Sequence, residues 1–218
     1  MHVAKFFTQG DLDAIAGAVR DAERRSAGQI VPYVVSHSDH FEAAGWKGAI
    51  IGAFAVALGA AAWRQFGAVW GGATPAWIVA PTVFGAAAGF IAVTFLSGLK
   101  RALAGAAALD HHVHQRAAAA FLEQEVFKTK HRTGVLIFLS LFERRVVVLA
   151  DTGINAKVGQ HEWDGIVAEI AAGIRTGAPG KALADAIRRC GDLLVRDGMA
   201  ARADDTDELP DSLQLREE

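Results

Sequence analysis

The sequence predicts an α/β protein, a three-layer α/β/α sandwich interrupted by a two-helix transmembrane hairpin. Between Gly48 and Leu99 the only charged residue is Arg64, which is more apolar surface than a soluble core helix needs. On either side of this block, β-branched runs alternate with segments whose apolar residues recur every three or four positions. The order is helix, strand, membrane hairpin, helix, strand, strand, helix, helix. Helices on both faces of a small sheet give three layers.

The first part of the soluble domain, residues 1–40, opens with Thr8 three positions before Asp11, the spacing of a capping box. Leu12, Ile15, Ala16 and Val19 then make one apolar face, and the helix stops near Gly28. Gln29 to Val35 (QIVPYVV) is a strand, in which Pro32 suggests an edge position or an irregularity because it cannot donate to a ladder.

The hairpin occupies 46–99, with spans at about 48–70 and 77–99. About 20 residues cross a hydrocarbon layer of about 30 Å. Trp77 to Leu99 is long enough alone and ends at Lys100 and Arg101. The first span is bounded by Lys47 and Arg64, so the Arg64 head must reach toward the far interface. Trp46, Trp63, Trp70 and Trp77 border the spans, where an indole is best accommodated. Gly48 with Gly52, and Gly85 with Gly89, place small residues one turn apart, a device for close helix approach within the hairpin or between chains. Basic residues on both outer flanks against one arginine between the spans put both termini in the cytoplasm.

The second part, 102–198, starts with an alanine-rich stretch from Ala102 to about Lys130 that reads as one long helix. Thr133–Ser140 and Arg144–Ala150 follow as two strands at hairpin spacing, the first apolar enough to be central. Trp163, Ile166, Val167, Ile170 and Ile174 mark one helix; Leu183, Ile187, Cys190 and Leu194 mark the last. Residues 199–218 are acidic and read as a disordered tail.

A net charge of −2 gives no basic balance of the kind that marks a nucleic-acid binder, so the partner implied by the Lys and Arg residues beside the spans is the lipid bilayer. One cysteine, Cys190, cannot form an intramolecular disulfide, and its place on an apolar helix face makes it a buried thiol. Asp110, His111, His112 and His114 share helical spacing without further ligands; His161-Glu162 begins like a zinc-protease helix but Gly165 stands where the second histidine belongs. Glu143 and Arg144 read as solvated turn charges. Asp151, at a strand end, is the one candidate cation ligand, for weakly held Ca²⁺ or Mg²⁺ at most. No catalytic set is present in the sequence.

The segments DLDAIAGAVRDAERRSAGQIVPYVV, RTGVLIFLSLFERRVVVLADTGI and HEWDGIVAEIAAGIRTGAPGKALADAIRRCGDLLV resemble the TPM-domain family, nearest its bacterial branch in which two spans follow the first strand. The resemblance implies an α/β/α sandwich and a place in the bacterial inner membrane. Some members are described as acid phosphatases or divalent-cation binders, others as photosystem-repair or receptor-auxiliary proteins. This chain has Gly28-Gln29-Ile30 where members commonly have Gly-Glu-Ile, and Arg132-Thr133-Gly134 where many secreted members have Asp-Asn-Gly. Its turn after the third strand is Ala150-Asp151-Thr152-Gly153.

The functional expectation is a membrane-anchored cytosolic TPM-like domain acting as an interaction or auxiliary module of a membrane complex. Its membrane-protein partner, or a second copy, would be met through Gly48, Gly52, Gly85 and Gly89. The alternative is a divalent-cation-dependent, phosphatase-like hydrolase, which needs several converging carboxylates.

Overall fold

Thr8 opens the first helix as the spacing requires. Its Oγ1 accepts the Asp11 N–H at 3.2 Å while Asp11 Oδ2 accepts the Thr8 N–H at 2.9 Å. The helix, α1 (Gln9–Arg25), buries Ile15, Ala18, Val19 and Ala22. The computed structural model describes residues 6–66, 76–201 and 209–216, and the chain divides into two compact units, residues 1–38 with 111–218 and residues 39–110.

The first unit is built on a four-stranded sheet of β1 (Gln29–Val35), β2 (Gly134–Ser140), β3 (Arg145–Ala150) and β4 (Gln214–Arg216), in the order β3-β2-β1-β4. β1 runs parallel to β2 and to β4, and β3 is antiparallel to β2. Every residue of β1 and β2 is buried, as inner strands covered on both faces must be. A parallel β1-β2 pair needs a long crossover, and here everything between Val35 and Gly134 supplies it.

Alternation along the strands sends Ile30, Val34, Val135, Ile137 and Leu139 to one face, where they pack with α1, α7 (Gln160–Arg175) and α8 (Pro179–Arg196). Val31, Tyr33, Val35, Leu136 and Phe138 go to the other face, against Val113, Ala117 and Ala120 of α5 (Ala106–Glu123). That is the α/β/α arrangement. The backbone also comes close where only glycine fits before β2: a Cβ on Gly134 would stand 2.1 Å from the carbonyl oxygen of Val126.

Two expectations about this unit change. The tail is not disordered throughout, since Gln214–Arg216 pairs with Tyr33–Val35 and the Ser36 N–H donates to Arg216 O at 3.2 Å. Consequently β1 is an inner strand. The Gln29 N–H donates toward β2 and the Ile30 N–H away from it, to Glu23, so alternation aims the Pro32 nitrogen at the side where β4 begins only at Tyr33. Pro32 thus occupies the uncovered stretch of that edge.

The expected long helix 102–130 is also divided. Gly105 (φ +87°) separates α4 (Ser97–Ala104) from α5, and Glu125 (φ +53°) separates α5 from a 3-10 turn at Val126–Lys128. A residue with positive φ cannot continue a right-handed helix.

The second unit holds α2 (Glu42–Phe66), α3 (Ala76–Phe95) and α4. α2 and α3 are long and apolar enough to cross a membrane. The helical part of the expected 77–99 span ends at Phe95, because Leu96 is extended (φ −95°, ψ 93°) and α4 restarts after it. Trp70, with the side chains of Arg64 and Trp77, lies outside the described residues.

The two glycine pairs meet one another in this unit. A Cβ on Gly52 would stand 2.1 Å from Gly85 O, and one on Gly89 2.2 Å from Gly48 O, so the helices run antiparallel with backbones in contact. Away from this seam, Ile50, Phe54 and Leu58 of α2 and Val79, Val83, Phe84 and Ile91 of α3 are each more than half exposed. Patches of this kind on monomers mark contact with lipid or protein.

Candidate functional site

The sheet offers two ends at which loops gather. At one, the turn before β2 meets the turn after β3. Asp151 lies here, buried. Oδ1 accepts the Thr152 N–H at 2.6 Å, capping the short helix α6 (Thr152–Asn155), while Oδ2 makes no hydrogen bond and stands 2.8 Å from Arg132 Nε as an ion pair. Arg132 is held in that position by backbone geometry. Its φ is +58°, and its carbonyl accepts the Gly153 N–H at 3.1 Å. A Cβ on Gly153 would come within 2.6 Å of His131 O, so the two turns interlock only with glycine there.

Beside this pair is a recess of about 230 Å³ lined by Ala27, His131, Thr133, Gly153, Lys157 and Met199. Thr133 Oγ1 is committed to Ala27 O at 2.6 Å, and His131 Nε2 is buried without a hydrogen-bond partner. Gln29, which stands where a glutamate is common in the resembled family, uses its Oε1 to accept the Leu209 N–H at 3.3 Å and so tethers the tail.

The structure brings few of the sequence-nominated groups together. Among the described residues, no three His, Cys, Asp or Glu side chains are grouped so as to hold a metal ion, and this includes His111, His112 and His114 of α5 and Asp151. Glu162 receives Arg196 Nη2 at 2.8 Å, a salt link between α7 and α8. Arg196 Nε also donates to Asp197 Oδ1 at 3.0 Å, and Asp197 first, then Glu162, hold the guanidinium above its ordinary pKa. Cys190 is fully buried, and burial pushes its thiol from 9.0 up to about 12, which removes thiolate chemistry near neutrality.

At the opposite end of the sheet the reading of Glu143 as a solvated turn charge is corrected. Glu143 is 2% exposed. Its Oε1 accepts the Ser38 N–H at 2.7 Å, and its Oε2 accepts the Ser140 hydroxyl. The carboxylate therefore ties the β2-β3 turn to the chain leaving β1, while Arg144 (φ +55°) carries the tight turn and stays exposed. Ser36 Oγ lies 2.7 Å from His37 Nδ1 beside it, and Ser38 Oγ is buried without a partner. The signal in sequence was the Ser140-x-x-Glu143 spacing, in which a serine hydroxyl and a carboxylate three residues on reach the same turn.

Residues 106–193 match the TPM domain family, TPM_phosphatase. That stretch holds α5, the β2-β3 hairpin, Asp151 and most of α8. The NMR structure of BA42 protein from the psychrophilic bacterium Bizionia argentinensis shares the fold, with a TM-score of 0.59 and 20% identity over 98% of each chain. No curated protein matches. The fold is therefore shared with BA42 protein, and this chain's own residues have to carry any argument about activity.

Proposed function

We propose that this protein is a membrane-anchored TPM-type module that docks a partner through its α/β/α unit. The observation that carries the reading is the run of large apolar side chains left exposed on α2 and α3, within a chain whose other unit buries every residue of its two inner strands. A lipid bilayer is the solvent for such a surface. The flanking charges support a multi-pass protein of the bacterial inner membrane with both termini cytoplasmic. Because the glycine pairs are spent within the hairpin, contact with another membrane protein or a second copy would use the outer faces of α2 and α3.

The geometry at Asp151 favours a module over a cation-dependent hydrolase. Catalytic cations bind carboxylates whose lone pairs point into an open site. Asp151 gives one oxygen to a backbone N–H and sets the other beside a guanidinium, whose positive charge opposes a second cation there.

Topology is tested with a reporter active only outside the cytoplasm, fused at residue 200 or between the spans at residue 73. Signal from 73 alone is expected, and signal from 200 alone overturns the orientation. For activity, the full chain in detergent is assayed for phosphate-ester hydrolysis with and without Mg²⁺ or Ca²⁺, alongside Asp151→Asn. Metal-dependent turnover that disappears in the variant reverses the reading.

A further inference from the structure

The helix that follows the second span has no buried residue. α4 begins after the extended Leu96, ends at Gly105 and spans eight residues, SGLKRALA. Leu96, Leu99 and Ala102 form one exposed stripe at three-residue spacing, and Lys100 and Arg101 stand half-buried beside it. α2 contributes a third cation, since Lys47 Nζ donates to Leu103 O at 2.9 Å and so closes the C-terminal end of α4. Next to Lys47, the Trp46 ring meets Phe90 edge to face, with centroids 5.4 Å apart.

From these features we infer that α4 and Lys47 form an interfacial collar for the headgroups of anionic phospholipids. The inference rests on the membrane reading above and adds the lipid class and the residues that recognise it. A short helix that exposes leucines and carries lysine and arginine beside them matches the boundary between acyl chains and headgroups. There the leucines leave water while the cations stay level with phosphate. Phe95 to Leu96 is where α3 breaks, with Leu96 extended before α4 begins, at the end of a 20-residue apolar helix. Lys47 fixes α4 to α2, which holds all three cations within one small area of a single unit. Each cation near an anionic surface contributes roughly a fivefold preference over zwitterionic lipid.

The test uses the full chain carrying Ala102→Cys, labelled with an environment-sensitive fluorophore. Cys190 is buried, so the unsubstituted chain serves as the labelling control. The labelled protein is reconstituted into phosphatidylcholine vesicles containing increasing phosphatidylglycerol, and vesicle association is checked by flotation. The emission should shift to the blue as phosphatidylglycerol rises. The pair Lys100→Gln and Arg101→Gln should move the midpoint to several-fold higher anionic lipid, with Leu99→Ser reducing the amplitude. A protein that floats with vesicles yet gives the same emission at every composition, or the same midpoint in the double variant, overturns the collar and leaves the membrane reading standing. A protein that floats with no vesicle overturns the membrane reading itself, and the collar with it.

Discussion

Arg132 Nε stands 2.8 Å from Asp151 Oδ2, joining an arginine that is half exposed to an aspartate that is almost wholly buried. The asymmetry sets the consequences of substitution. Removing the guanidinium leaves a buried carboxylate with its hydrogen bonds from Thr152 on Oδ1 and no counter-charge beside Oδ2, whereas removing the carboxylate leaves an arginine that water can solvate. Arg132→Ala should cost about 1–2 kcal/mol, discounted from the fully buried case because water reaches the arginine side. Since Arg132 has φ +58°, Arg132→Gly should recover about 1 kcal/mol of that loss. Asp151→Asn, which keeps the helix cap, should cost less than Asp151→Ala. Urea unfolding of the four variants checks the order.

Glu143 predicts a larger effect from a place that looks like surface in the sequence. Glu143→Ala leaves the Ser38 N–H and the Ser140 hydroxyl without an acceptor in a buried turn. The loss should be about 2–4 kcal/mol, at one to two for each orphaned donor. Glu143→Gln retains one acceptor oxygen and should fall between the two. Equal stability of wild type and Glu143→Ala would show that the carboxylate ties nothing together.

The seam between α2 and α3 makes glycines of similar sequence context behave differently. Gly52→Ala drives a methyl into Gly85 O, an atom of backbone that cannot turn aside, and the helices must separate. Gly59 has nothing within 4 Å of an added Cβ, so Gly59→Ala should be neutral or stabilise by about 0.5–1 kcal/mol through helix propensity. Thermal unfolding in detergent of the two variants should move in opposite directions or differ by several degrees.

Cys190 gives a pH signature. Its thiol is raised from 9.0 to about 12 in the folded chain, so between those values the unfolded chain has released a proton that the native chain keeps. Stability from this group is complete below pH 9 and declines as pH rises toward 12, by at most about 1.4 kcal/mol per pH unit. Tyrosine and lysine titrate in the same range, so the readout is the difference between wild type and Cys190→Ala, whose denaturation midpoint should depend less on alkaline pH. Alkylation of the native protein near pH 8 should be undetectable until denaturant is added.

The two units predict that the α/β/α part folds alone. Residues 1–38 joined to 111–218 through a flexible linker should unfold cooperatively in the absence of lipid. Ending the same chain at residue 200 removes β4 and uncovers Tyr33 to Val35 along one edge. Hydrogen exchange at the Ser36 amide, which donates to Arg216 O, should then accelerate markedly, with a global loss of about 1–2 kcal/mol.

Local patterns made much of this protein legible. The Thr8–Asp11 box, the strands at 29–35, 134–140 and 145–150, and the two apolar helices all depend on neighbours within a few positions, so periodicity and capping chemistry reveal them. What sequence missed depends on partners far along the chain. Gln214–Arg216 carries almost no strand signal of its own and becomes a strand because β1 presents an open edge about 180 residues earlier. Glu143 looked solvated because charge usually means surface, and burial became affordable only through donors from Ser38, more than 100 residues away. Asp151 lies at a strand end, as spacing alone indicates, but its surroundings are decided by Arg132, whose approach requires two interlocked turns. Composition and spacing determined where helices, strands and apolar spans would be. Tertiary structure decided which charges are spent on one another, because a buried charge is governed by what the fold brings within 3 Å of it.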